Sequence, residues 1–148
     1  MIEIERKFLI KGDFRPFAVR KITITQGYLC TDPDRTVRIR IKDNSACLTI
    51  KGPSNENGFS RMEFEYDIPL EDGKEILKLS NQLIEKERFL VPVGNHIYEV
   101  DVFHGKHEGL SIAELELSSE AECFEKPDWL GDEVTGDVRY YNAYLASH

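Results

Sequence analysis

The stretch Glu3-Ile4-Glu5-Arg6-Lys7-Phe8-Leu9, residues 3–9, alternates charged with apolar side chains over most of its length. A period of two predicts a strand, because successive side chains of a strand point to opposite faces. Ile2, Ile4 and Phe8 take one face; Glu3, Glu5 and Lys7 take the other. Two acids on one face repel each other unless something compensates. The same device recurs down the chain. Further acidic pairs at i and i+2 are Glu63/Glu65, Glu99/Asp101 and Glu114/Glu116, and the basic pairs are Arg38/Arg40 and Lys86/Arg88. The opposite parity is apolar on most of these segments: Val37, Ile39 and Ile41; Met62, Phe64 and Tyr66; Val100 and Val102; Leu115 and Leu117.

Outward from these pairs, eight strands are predicted: Glu3–Leu9, Ile22–Cys30, Thr36–Lys42, Ala46–Lys51, Ser60–Ile68, Glu87–Val93, His96–Phe103 and Ser111–Leu117. Asp43-Asn44-Ser45, Gly52-Pro53, Asn57-Gly58 and Gly94-Asn95 punctuate them. One segment has a helical period. Between Leu70 and Ile84, the residues Ile76, Leu77, Leu79, Leu83 and Ile84 recur at helical spacing, and Asp72 and Glu75 load its start with negative charge. A shorter helix is expected after Thr135, carrying Tyr140, Tyr141 and Tyr144, with Thr135 or Asp137 as its cap. The fold class is mainly β (α+β), with one domain over residues 1–148. Turning the charged parity inward would close the eight strands into an antiparallel β-barrel with a polar lumen and peripheral helices.

Composition narrows the function. Asp and Glu number 27 against 19 Lys and Arg, a formal net charge of −8. This excludes the basic footprint of a general nucleic-acid binder. No apolar run approaches a membrane span, and residues 1–10 are charged and alternating, unlike a signal peptide. Cys30, Cys47 and Cys123 are odd in number and show no zinc spacing, so a reduced, cytoplasmic setting is expected. A homodimer is compatible with the sequence, but nothing in it requires one.

Taken singly, each strand reads as an ordinary wet face with cross-strand ion pairs. Taken together they do not, because each carries a doublet of one sign. Acidic pairs invite divalent cations, and basic pairs invite a polyanion. The acids are Glu3, Glu5, Glu63, Glu65, Glu99, Asp101, Glu114 and Glu116; the bases are Lys7, Arg38, Arg40, Lys51, Arg61, Lys86 and Arg88. They nearly cancel. Two divalent cations would leave a surplus that a triphosphate of about −4 balances. Mg²⁺ and Mn²⁺ prefer carboxylate oxygen, and Arg gives phosphate a bidentate fork.

At this point the chain resembles a known family. Glu3-Ile4-Glu5-Arg6-Lys7 is similar to the Glu-x-Glu-x-Lys signature of the CYTH domain, which belongs to the triphosphate tunnel metalloenzymes. The resemblance continues, in order, through Arg38-x-Arg40, Thr49-Ile50-Lys51, Arg61-x-Glu63-x-Glu65, Lys86-x-Arg88, Glu99-x-Asp101 and Glu114-x-Glu116. It ends in Trp129 to Thr135 and Arg139-Tyr140-Tyr141-Asn142. It implies an eight-stranded tunnel, open at both ends, that binds a triphosphate. It further implies metal-dependent hydrolysis of inorganic triphosphate to pyrophosphate and phosphate, with Mg²⁺ or Mn²⁺ in a two-metal site.

The expected substrate clamp is Lys7, Arg38, Arg40, Lys51, Lys86 and Arg88, joined by Arg61. One metal is expected on Glu3, Glu114 and Glu116, and a second among Glu5, Glu63, Glu65 and Asp101, where it would position the attacking water. Glu5, Lys7, Glu63, Glu65 and Lys86 are the expected catalytic set. The alternatives are a class IV adenylate cyclase, a thiamine triphosphatase and a non-catalytic polyphosphate-binding module. Tyr28 shares the parity of Gln26 and reads as a core or rim tyrosine. His104 and His107 lack further convergent ligands. Cys47 reads as a small wall residue, and Trp129 as packing for the C-terminal segment.

Overall fold

The computed structural model describes residues 1–148. Nine strands form one antiparallel sheet: β1 Ile2–Ile10, β2 Arg20–Cys30, β3 Thr36–Lys42, β4 Ser45–Ser54, β5 Ser60–Ile68, β6 Leu83–Val93, β7 His96–Phe103, β8 Ser111–Glu116 and β9 Leu130–Glu133. Their order is β5-β4-β3-β2-β6-β7-β8-β1-β9. A further pairing of β5 with β1, Ile2 opposite Met62 and Glu3 opposite Arg61, closes the first eight into a barrel. All eight expected strands are present, and three of them, β3, β5 and β7, have the expected bounds. No alternation marks β9 in the residues. It is four residues long and completes the edge of β1 beyond the reach of β5.

The first helix is shorter than its periodicity suggested. α1 spans Leu70–Leu77, and Leu83 and Ile84 begin β6. Those two residues fit both periods. Pairing to Gly27 and Gln26 of β2 claims them for the sheet, and the Ser80 hydroxyl, donating to the Tyr28 carbonyl at 2.8 Å, stops the helix in a turn. Near the C-terminus, Asp137 caps a 3-10 turn over Val138–Tyr140 and accepts from the Arg139 amide, and α2 follows at Asn142–Ser147. Thr135 caps nothing; its hydroxyl oxygen accepts from the Lys7 amide at 2.8 Å.

Two apolar clusters position the barrel. The outer one packs Phe8, Val91, Tyr98, Val100, Ala113 and Leu115 of β1, β6, β7 and β8 beneath Phe14, Trp129 and Leu130. Trp129 meets Phe14 and Tyr98 edge-on, so it does pack the C-terminal segment. The second cluster joins Tyr28, Ile84, Phe103 and Ile112 to Ala143, Leu145 and Ala146 of α2. These four barrel residues share the parity of Gln26, Lys86, Asp101 and Glu114. α2 therefore packs onto an apolar collar at one end of the barrel, where the resemblance implied an open mouth. No helix is long and apolar enough to cross a membrane. The outer face of β5 is less covered: Met62, Phe64 and Tyr66 stay exposed beside Ile50 and Ile2.

Candidate active site

The barrel encloses a cavity of about 340 Å³. Its lining combines the charged parity of β1, β3, β5 and β8 with Tyr28, Thr49, Lys51, Arg88, Glu99 and part of the C-terminal segment. Of the expected clamp, Lys7, Arg38, Arg40, Lys51, Arg61 and Arg88 line it. Of the expected metal ligands, Glu3, Glu5, Glu63, Glu65, Glu114 and Glu116 line it, joined by Glu99.

One wall is basic. β3 carries Arg38 and Arg40 on the same face, and β2 separates it from β6, which carries Arg88. Arg40 Nε donates to Gln26 Oε1 at 2.8 Å, and Arg38 Nη2 donates to Thr49 Oγ1 at 3.1 Å. Arg88 forks onto Asp101 at 2.8 and 3.0 Å and reaches Glu99 at 3.3 Å. Burial draws the Arg40 guanidinium down to about 10, helped by Arg38 and Arg88. Arg38 Nε is buried and has no hydrogen-bond partner. A buried donor left unmade costs about 1–3 kcal/mol, more when charged, so an anion in the cavity gains from supplying the acceptor.

The other wall is acidic. Register sets like charges against each other: Glu5 opposite Glu116, and Glu99 opposite Glu114. Lys51 Nζ stands 2.9 Å from Glu3 and 3.5 Å from Glu63, and Lys7 Nζ is 3.8 Å from Glu114. Glu5, Glu65 and Glu116 make no ion pair. Burial, then Glu114 and Glu3, push the Glu5 carboxyl well above the ordinary range. Burial and Glu3 raise Glu63 and Glu116 as well. Burial also acts against the Glu114 carboxylate, but Lys7, Arg88 and Lys86 outweigh it and hold Glu114 well below the ordinary range.

Three acids strained upward on one wall are the charge environment a divalent cation relieves, and their oxygens are the donors Mg²⁺ or Mn²⁺ takes. The carboxylates fit such an ion by chemistry and charge. They are not drawn together onto one point. Glu3 lies against Glu63 and also feels Glu114 and Glu116, and Glu5 lies against Glu114.

Two expected site residues stand behind the wall. Lys86 is 1% exposed and Asp101 is fully buried. Lys86 Nζ donates to Asp101 Oδ2 at 2.6 Å and to Asn142 Oδ1 at 2.8 Å. Both Asp101 oxygens are thus engaged by Lys86 and Arg88, which leaves none turned to a metal and corrects that expectation. Burial draws Lys86 down to about 7, against the pull of Asp101. Lys86 braces the basic wall from behind.

Other lining residues were not among the expected site residues. Lys42 shares the parity of Arg40, a signal that alternation offered. Thr49 shares the parity of Lys51. Tyr141 and Asn142 come from the tail, whose approach to the lumen no periodicity announces. Lys7 Nζ and the Arg61 guanidinium lie 5.4 and 5.6 Å from the Tyr141 ring centre. Tyr28 is both core and lumen: it is 4% exposed, and it lines the cavity. His104 bonds Glu87 and Glu108, whereas His107 bonds the Leu145 carbonyl, so the two share no ligand point.

A closed antiparallel barrel with a basic and an acidic wall facing one small cavity defines a binder of compact polyanions with room for cations. The CYTH domain family model matches residues 1–142, and the chain belongs to that family. A protein of Acetivibrio thermocellus named inorganic triphosphatase is 43% identical over 148 residues, covering 99% of this chain and 94% of that protein. One of Nitrosomonas europaea with the same name is 36% identical over 152 residues, covering 99% and 97%. The crystal structure of the inorganic triphosphatase NE1496 superposes with a TM-score of 0.67 at 31% identity, covering 99% of this chain and 95% of that one.

Proposed function

We propose that this protein is a divalent-metal-dependent inorganic triphosphatase that cleaves tripolyphosphate to pyrophosphate and phosphate within the lumen. The single observation that carries the reading is the buried, unpartnered Nε of Arg38, on a wall shared with Arg40 and Arg88 and opposite an acidic wall where Glu5, Glu65 and Glu116 make no ion pair. The names of the two relatives support the same substrate.

Arg38, Arg40 and Arg88 hold the phosphate chain from one side, with Lys7, Lys51 and Arg61 completing the clamp. Mg²⁺ or Mn²⁺ would be held by Glu3, Glu5, Glu63, Glu65, Glu114 and Glu116; when bound it neutralises phosphate charge and acidifies a ligated water. A carboxylate of this wall that the ion leaves unligated, Glu5 or Glu63, would accept the proton of the attacking water. Lys7 stabilises charge on the leaving phosphate. Water oxygen forms the new P–O bond as one bridging P–O bond breaks, and the proton leaves through the acidic wall. The cavity is built for a compact chain of phosphates. Its apolar lining is slight, and Phe59, Tyr28 and Tyr141 are its only aromatics, which weighs against the cyclase and thiamine triphosphate readings. The three free cysteines suit a reducing, cytoplasmic setting.

The test is a substrate panel under Mg²⁺ and Mn²⁺: tripolyphosphate, ATP and thiamine triphosphate, with products separated. Tripolyphosphate should be turned over at least tenfold more efficiently than the other two. Cyclic AMP from ATP would replace this reading by the cyclase. Tight tripolyphosphate binding without turnover would replace it by a binding module.

A further inference from the structure

We propose that Arg6, on the outer face of the barrel, is a positioning residue that sets Glu5 and Lys7 in the lumen by clamping the seam where β1 changes partners. The proposal rests on the triphosphatase reading for its kinetic consequence, but not for its structural one.

The edge of β1 is shared. Ile2 to Ile4 pair with β5, and Phe8 to Ile10 pair with β9. Between them β1 has no regular ladder on that side. The Glu5 amide donates to the Phe59 carbonyl at 3.0 Å, in the loop between β4 and β5. The Lys7 amide donates to Thr135 Oγ1 at 2.8 Å, and the Lys7 carbonyl accepts from the Val134 amide at 2.8 Å. Glu5 and Lys7 are thus paired with β8 on one edge of β1 but held on the other by two irregular segments rather than by a strand. An irregular edge of this kind is the low-stability part of a sheet.

Arg6 lies between Glu5 and Lys7 in sequence and, by strand alternation, on the opposite face. Its guanidinium spans the gap. Nε and Nη2 fork onto the Glu133 carboxylate of β9 at 2.5 and 2.6 Å. Its Cζ lies 4.5 Å from the Phe59 ring centre and 5.1 Å from that of Phe124. Glu133 in turn accepts from the Thr135 hydroxyl at 2.6 Å, and Thr135 is the residue that holds the Lys7 amide. One side chain therefore grips both segments: Phe59 on the Glu5 side, and Glu133 with Thr135 on the Lys7 side. The two segments also touch directly, since a Cβ on Gly58 would stand 2.4 Å from Gly136 Cα. A planar, five-donor guanidinium can fork and stack at once; an ammonium cannot.

Arg6→Ala, Arg6→Lys and Glu133→Gln test this, with Phe14→Leu as a packing control in the outer core. Amide exchange is read at Glu5, Lys7 and Val134 and, for comparison, at Arg38 and Arg40. Both Arg6 variants should lose protection at the first three amides at least tenfold and keep it at the last two. With tripolyphosphate, the half-saturating Mg²⁺ concentration should rise by about 10- to 100-fold, as for loss of a residue that orients metal ligands. Phe14→Leu should lower Tm without moving it. Arg6→Lys keeps the charge and the stem, so it reports even where Arg6→Ala fails to fold. Wild-type protection and wild-type Mg²⁺ dependence in Arg6→Lys and Glu133→Gln would overturn the proposal. Should the wild type turn over no tripolyphosphate, the triphosphatase reading fails alone, and exchange at Glu5 and Lys7 still decides the role of Arg6.

Discussion

The two walls of the lumen are built on opposite principles. The basic wall is finished but for one donor, Arg38 Nε: Arg40 rests on Gln26, Arg38 on Thr49, and Arg88 on Asp101, which Lys86, itself held by Asn142, braces from behind. The acidic wall is unfinished, because Glu5 and Glu116 face each other across a register pair and neither makes an ion pair. Preorganised charge binds without reorganisation at the moment of reaction, and that is where electrostatic catalysis gains most. Unbalanced charge costs folding stability and draws in a counter-ion. The protein thus carries its phosphate site ready-made and leaves its metal site to be completed on loading.

This contrast can be broken from either side. The largest effect is expected on the finished wall. Arg38→Ala and Arg40→Ala should each lower kcat/KM for tripolyphosphate by about 10²–10³, the usual loss for one preorganised electrostatic donor. Steady-state phosphate release checks this, and unchanged turnover in Arg40→Ala would remove it from the clamp.

On the unfinished wall, Glu5→Gln should cut turnover comparably and also change stability, with a defined sign. The folded protein holds the Glu5 proton more tightly than the unfolded chain. Glu5 therefore costs stability as pH rises from the ordinary carboxylate value through its raised one. Glu114, held low, has the opposite sign: it stabilises above the ordinary value and loses that contribution as pH falls through its lowered one. Metal-free Glu5→Gln should melt a few degrees above wild type at pH 7–8, where about 1 kcal/mol shifts Tm by several degrees in a domain of this size. It should also gain less from added Mg²⁺. A lower Tm would show that Glu5 is not strained.

Beside the basic wall, Asn142→Ala removes the acceptor shared by Lys86 and Gln26. Turnover should fall about tenfold while Mg²⁺ dependence stays put, as expected for second-layer support of a positioned group. The smallest effect belongs to Lys42, exposed on the lumen parity. Lys42→Ala should lower kcat/KM a few-fold at low salt and negligibly at high salt, because exposed charges steer but are screened.

Much of this was legible in the residues. Alternation located eight strands, and the sign of each charged pair assigned its wall, because a two-residue period leaves side chains no choice of face. Four things were not legible. Leu83 and Ile84 fit a helix and a strand equally, and only pairing with β2 decides between them. β9 is too short to show a period. Lys86 and Asp101 share the parity of true lining residues, yet each satisfies the other, and parity says which face a side chain takes without saying what stands in front of it. The C-terminal turn of the chain around Asn142 reaches the lumen through tertiary packing of α2, which leaves no local signal.

The most direct measurement is ³¹P NMR of tripolyphosphate incubated with the protein in Mg²⁺ and, separately, in EDTA. Pyrophosphate and phosphate should appear in equal amounts with Mg²⁺, and tripolyphosphate should remain intact in EDTA. Cleavage at equal rates in both, or none in either, would contradict a basic wall that binds phosphate and an acidic wall that a divalent ion completes.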